Sequence, residues 1–199
     1  MLLLIFGVLL CVFGIWSHRA SALSYGEGLY GTCQYNTCSV SIASNGTVNL
    51  TMTKSTAYPT MCSVGSDTIV VSTRSSTGYT VALSVPASDT NLTGVGYSGT
   101  IPASSATVAS PAALTANTWG YRVDAGTFGA GPTTPLAGGA IPSVTFAGVP
   151  VFATPSFVTS SNSPATDEET DVWYGVCVNI AAAADDVYEN DIIYTASVN

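Results

Sequence analysis

Histidine is missing from this chain beyond position 18, and charge is scarce along its whole length. The one histidine is His18. Without imidazole the remainder cannot build a Ser-His-Asp triad, a Cys-His pair or a histidine-ligated zinc or copper site. The commonest general base is therefore gone, and an enzyme on this chain would have to work through paired carboxylates. Charged residues make up 8% of the sequence, against ~25% in ordinary globular proteins. Cations are scarcer still. After residue 22 only Lys54, Arg74 and Arg122 stand against 12 acidic residues. Nucleic acid and anionic membrane surfaces, which are bound through clustered Lys and Arg, are not expected as partners. Helix periodicity is lacking too: outside the first residues no segment repeats at the spacing of an amphipathic helix.

What is present begins at the amino terminus. Leu2 to Trp16 is a nearly unbroken apolar run, followed by Ser17-His18-Arg19 and then Ala20-Ser21-Ala22. The last three form the small-x-small pattern after which a signal peptidase cuts. Residues 1–22 read as an export signal helix, with the following domain starting near Leu23. The positive flank is reversed, since His18 and Arg19 follow the apolar run instead of preceding it. If Met1–Ala22 stays on, it is the chain's one means of holding a membrane. A run of roughly 15 apolar residues is short against the ~20 that span a bilayer, which favours cleavage. The expected location is secreted or at the cell envelope.

Removing the leader leaves about 177 residues, enough for a single domain with a real core. Hydrophobic residues make up 47% of the sequence and aromatics 10%, so the low charge does not imply disorder. Cys33, Cys38, Cys62 and Cys177 follow the leader. An even count in an exported domain reads as two disulfides, and four cysteines allow three connectivities. Cys33 and Cys38 are near enough in sequence to close a small loop. Cys177 falls opposite the main apolar row of its segment, so the expected partner is Cys62, placed in the loop around Tyr58-Pro59 and stapling an outer segment. The expected pairing is Cys33–Cys38 with Cys62–Cys177.

Alternating apolar and polar residues mark the strands. Cys38 to Ser44 and Thr47 to Met52 alternate on either side of Asn45-Gly46, a favoured two-residue turn, and predict a hairpin. Thr68–Thr73 and Tyr79–Val85 predict a second, with Tyr79, Val81, Leu83 and Val85 on one face. A Ser-, Thr-, Ala- and Pro-rich connection over 86–117 leaves room for short edge strands. Trp119–Val123, Ser143–Val149, Val172–Ile180 and Val187–Asn199 complete seven to nine strands. The expected fold is all-β: an antiparallel β-sandwich, Ig-like or jelly-roll, occupying 23–199.

Few residues offer chemistry. The carboxylates concentrate late, at Asp167, Glu168, Glu169 and Asp171 and again at Asp185, Asp186, Glu189 and Asp191. Loops at a sandwich end can supply the six to eight oxygens that calcium takes, which makes Asp167, Glu169, Asp171, Asp185 and Asp186 weak calcium candidates. Neither group matches an EF-hand loop, and an acidic solvated loop is the plainer reading. The aromatic pairs Trp119 with Tyr121 and Trp173 with Tyr174 could stack on sugars, although strand aromatics are more often core. Asn45, Asn49 and Asn91 head N-x-Ser/Thr patterns. No catalytic residue and no required cofactor is expected.

The leader, Cys33-Gln-Tyr-Asn-Thr-Cys38-Ser-Val, Asn117-Thr-Trp-Gly-Tyr121, Tyr174-Gly175-Val176 and Ile193-Tyr-Thr-Ala196 together give a resemblance. The chain resembles small exported β-sandwich surface proteins of candidate-phyla-radiation bacteria and, more distantly, WxL-type and adhesin-like proteins of Gram-positive bacteria. The WxL signature itself is absent. The resemblance implies a non-catalytic envelope, adhesion or filament role. The implied partners are like subunits or ligands on host or neighbouring cell surfaces. The alternative is a secreted carbohydrate- or calcium-binding module.

Overall fold

The computed structural model describes residues 39–52, 59–124, 128, 136–137, 144–179 and 186–199. Met1–Ala22, Cys33, Cys38, Lys54, Ile180 and Asp185 lie outside them. The described residues are mostly strand and contain no helix. The sheets are antiparallel, as the alternation predicts.

Two long strands organise the molecule. β2 (Thr60–Thr73) pairs with β9 (Ala165–Asn179) along almost its whole length. Both carry several Val and Thr, which fit a pleated surface. β1 (Val40–Ser44) and the short β7 (Leu136–Ala137) share the other edge of β2, and β6 (Thr118–Val123) flanks β9. A second sheet has the order β11 (Ile193–Val198), β3 (Tyr79–Ser84), β8 (Ser156–Ser161). A third joins β10 (Tyr188–Glu189), β4 (Leu92–Gly94) and β5 (Thr100–Ile101).

Side-chain parity decides where the core lies, because alternate residues of a strand point to opposite faces. Val172, Tyr174, Val176 and Val178 of β9 share a core with Ile69 and Val71 of β2, and with Trp119 and Tyr121 of β6. Tyr79, Val81 and Leu83 of the second sheet, all fully buried, and Val85 just beyond β3 close it from the other side, as the sequence predicts. The opposite face of β2 and β9 is covered as well: Val64 packs with Val144, Phe146 and Leu114. Gly175 lies under that cover, where a Cβ would come within 2.6 Å of the Phe146 ring. Residues 61–65 and 172–178 are consequently buried on both faces. Such strands read as continuous apolar runs instead of alternating ones.

Cys62 and Cys177 stand opposite each other in the β2–β9 register and are disulfide-bonded. The pairing is the expected one, but the placement is not. Cys62 is 3% exposed inside β2, so the bond joins two neighbouring strands beneath the second cover and staples no outer loop. The Cys33–Cys38 half of the expectation lies outside the described residues.

Both predicted hairpins are corrected. β1 pairs with β2, from Val40 opposite Thr73 to Ser44 opposite Ile69, and 47–52 forms no strand. Its alternation is nonetheless real, since Val48, Leu50 and Met52 pack on the core. Likewise β2 does not fold back on β3; the chain crosses at 74–78 from the first sheet to the second. Thr73 Oγ1 accepts the Ser75 N–H, and the Gly78 N–H donates to the Ser75 carbonyl at 3.2 Å. Gly78 holds φ +82°, and a Cβ there would collide with the Ser161 carbonyl, so glycine is required at this crossing.

Smaller differences follow from chain pairing. Ser143–Val149 gives bridges at Phe146 and Ala147 instead of a full strand. Val187–Asn199 divides between β10 and β11, which belong to different sheets. Asp167, Glu168, Glu169 and Asp171 lie within β9, not in a loop. Asn199 is tied down by its side chain: its Nδ2 donates to the carbonyls of Thr77, Tyr79 and Ser161.

Candidate functional site

Among the described residues a cleft lies against the core, and this is the candidate site. After β1 the chain passes Gly46 (φ +99°) and continues toward the start of β2, crossing its core face as a strap, residues 45–52. Gly65 allows this approach: a Cβ there would lie 2.9 Å from Val48 and Leu50 side-chain carbons. Between this strap and residues 186–194 a cleft of about 830 Å³ opens, floored by Trp119, Tyr174 and Val176. Its volume falls in the range of small-molecule sites.

Asp67 is the unexpected member. It lies mid-strand in β2, lines the cleft and is 4% exposed. Its Oδ1 accepts the Asn45 N–H at 2.9 Å, which anchors the start of the strap. Burying a carboxylate mid-strand is costly unless something meets it. Near it, Tyr174 and Tyr194 join hydroxyl to hydroxyl at 2.7 Å. Burial, first of all, pushes both hydroxyls well above the ordinary tyrosine range, and the negative charge of Asp67 pushes in the same direction. Both phenols therefore stay protonated at any physiological pH and serve as hydrogen-bonding groups, not as bases.

The rim is set by Asp186. Its carboxylate accepts the backbone N–H groups of Tyr97 (2.7 Å), Gly96 (3.0 Å) and Val187 (2.8 Å). These bonds, with Tyr97 foremost, hold its carboxyl below the usual range. The turn between β4 and β5 is thereby pinned to the segment leading into β10, and it presents Val95, Tyr97 and Val187, each more than 60% exposed. Glu189 and Asp191 also line the cleft.

The sequence-predicted candidates are scattered. Of the five calcium candidates, only Asp186 reaches the cleft, and Asp185 lies outside the described residues. Asp167, Glu169 and Asp171 alternate along β9 at a spacing of about 6.6 Å per step. Three carboxylates so spaced do not converge on an ion that needs oxygens at 2.3–2.6 Å. Hydroxyls engage two of them: Ser72 Oγ donates to Asp167 at 2.9 Å and Thr68 Oγ1 to Asp171 at 2.6 Å. Among the described residues no group of three or more His, Cys, Asp or Glu could hold a metal ion.

The tryptophans are core residues. Trp119 and Trp173 are each 3% exposed, with Nε1 donating to the Thr90 carbonyl and to Asp124 Oδ2 respectively, so neither offers a face for stacking on a sugar. Trp173 shares Asp124 with Arg122, which is fully buried and 3.6 Å from it. No protein-family model, curated protein or solved structure matches this chain.

Proposed function

We propose that the chain is an exported, non-catalytic adhesion module of the cell surface, a β-sandwich that holds its ligand in the cleft beneath the 45–52 strap. The leader at 1–22 and the disulfide between Cys62 and Cys177 support an oxidising location outside the cytoplasm. Strands of separate antiparallel sheets sharing one core support the sandwich reading of 23–199. The observation that carries the binding role is the cleft itself: a concave opening beside the core, lined by apolar side chains such as Val48, Leu50 and Ile192 together with polar ones such as Asn49, Asp67 and Asn190. A binding role without turnover is favoured because no histidine follows residue 18 and the tyrosine hydroxyls beside Asp67 are held in their neutral form. A role as a subunit of a layer or filament is a special case, with a like subunit as the bound partner.

The test is retention on cells. Protein 23–199, labelled and applied to intact cells of the producing organism or its neighbours, is expected to be retained. I192W, which places a bulky ring at the cleft wall, should reduce the retained fraction severalfold. Equal retention of both proteins would remove the cleft from the function, and turnover of any substrate lost in D67N would replace adhesion by catalysis.

A further inference from the structure

Among the described residues the cleft carries charge of one sign. Its wall holds Asp67, Asp186, Glu189 and Asp191, and none of the described lining residues is Lys or Arg. Of the cations among the described residues, Arg122 lies beside Asp124 on the other face of the β6–β9 sheet, and Arg74 sits in the crossing between the sheets. A cleft with charges of one sign and low-dielectric walls concentrates the opposite sign. Exposed Glu189 and Asp191 could do this weakly anywhere on a surface. Asp67 is different, because it is 96% withdrawn from solvent and lies at the cleft wall. The Asn45 N–H and a hydrogen bond with the Tyr194 hydroxyl occupy only part of the roughly four acceptor positions of such a carboxylate.

The remaining lining narrows the kind of cation. A metal ion needs several converging oxygens, and among the described residues none converge. A primary ammonium needs fewer: it brings three donors of its own, and a carboxylate and a phenol oxygen can each accept one. Asp67, with the Tyr174–Tyr194 hydroxyl pair whose protons it influences, supplies such acceptors. Leu50, Met52, Leu92 and Ile192 along the walls would receive an alkyl stem rather than a sugar ring.

Resting on the adhesion reading of this cleft, we infer that its ligand is a primary alkylammonium, with the charged head against Asp67 and the methylene stem along the strap. Two sources share that chemistry: a free aliphatic amine and a lysine side chain on a partner's surface.

The experiment uses 23–199 and n-pentylammonium, with 1-pentanol and pentanoate as matched neutral and anionic probes, followed by titration calorimetry or amide shifts. Pentylammonium is expected to bind at least tenfold tighter than pentanol, pentanoate more weakly than either, and the preference is expected to shrink with added salt. D67N should bring the ammonium down to the level of the alcohol. Should D67N fail to fold, I192W retains the carboxylate, blocks the space and is expected to abolish binding. A doubly blocked Gly-Lys-Gly peptide that binds as well as the amine points to a partner's lysine, whereas binding of the amine alone points to a free ligand. Equal affinity for ammonium and alcohol would overturn the inference. So would an ammonium preference unchanged in D67N, or one seen only in K54M, where the chain's own lysine has been removed. If these probes fail while I192W still lowers retention on cells, the ligand assignment falls and the adhesion reading stands.

Discussion

Cys62 and Cys177 face each other across the β2–β9 ladder with their Cα atoms 4.1 Å apart, 115 residues distant in sequence. The bond closes a loop containing most of β2, all of β3 to β8 and most of β9. Chain-entropy reasoning assigns about 4–5 kcal/mol to such a closure. The double variant C62A/C177A is expected to lose stability of that order in urea unfolding, with a lower transition midpoint. A loss below about 1 kcal/mol would show that the second cover, Val64 with Val144 and Phe146, holds these strands together unaided.

The tyrosine pair predicts an alkaline limit. Tyr174 and Tyr194 titrate above the ordinary value of 10.0 in the folded chain, mainly because they are buried. A group whose pKa is raised by folding contributes stability that is complete below the unfolded value. That contribution is lost as pH rises from about 10 through the folded value. Stability should therefore fall steeply above pH 10, and tyrosinate absorbance from this pair should appear together with unfolding. Y194F removes the shared hydrogen bond and should cost about 1 kcal/mol at neutral pH, since it leaves one buried hydroxyl to find another partner. Ionisation of all tyrosines at pH 10 without loss of structure would contradict the buried hydroxyl contact.

Asp186 makes the opposite prediction at low pH. Its carboxyl is held below the ordinary aspartate value of 3.8, with the Tyr97 N–H the largest cause. A depressed pKa contributes stability above the unfolded value and loses it as pH falls through the folded one. The β4–β5 turn should thus loosen below pH 3.8. D186A should reproduce that loosening at neutral pH, seen as faster hydrogen exchange at Gly96, Tyr97 and Val187 while β2 and β9 keep their protection. Unchanged exchange at those three amides would mean that the backbone bond from Val95 N–H to the Val187 carbonyl (2.8 Å) suffices.

Side-chain parity was legible in the sequence, and pairing was not. The rows Tyr79, Val81, Leu83 and Tyr174, Val176, Val178 lie on the core faces that alternation assigns them. Val48, Leu50 and Met52 also point as predicted, yet their segment is a strap and not a strand. Alternation reports which residues meet an apolar surface, and it is silent on whether the backbone hydrogen-bonds to a neighbour. Asn45-Gly46 makes no hairpin turn: Gly46 takes φ +99° but the chain continues onward, and the partner of β1 is β2, 25 or more residues further along. Long-range competition of this kind leaves no mark in a local window.

The site was harder still. Of the late carboxylates, Asp186, Glu189 and Asp191 reach the cleft, but the buried one is a single aspartate within Met61-Cys-Ser-Val-Gly-Ser-Asp-Thr-Ile-Val-Val71. Its polar neighbours Ser63, Gly65 and Ser66 make the run look like a weak strand. Gly65 and Asp67 take meaning only once the strap is known to cross above them.

The bond between Cys62 and Cys177 also governs how this molecule would bear load. Tension applied at Ser39 and at Asn199 reaches the cystine before it can enter the ring of residues that the bond encloses. Fully drawn out, those 115 residues would release roughly 400 Å of chain. While the sulfurs stay joined that length is withheld, and among the described residues the strap, β1, β10 and β11 lie outside the ring and are free to yield. Pulled from both ends, the chain would lengthen outside the ring and then stop, and a reductant would let it extend several times further.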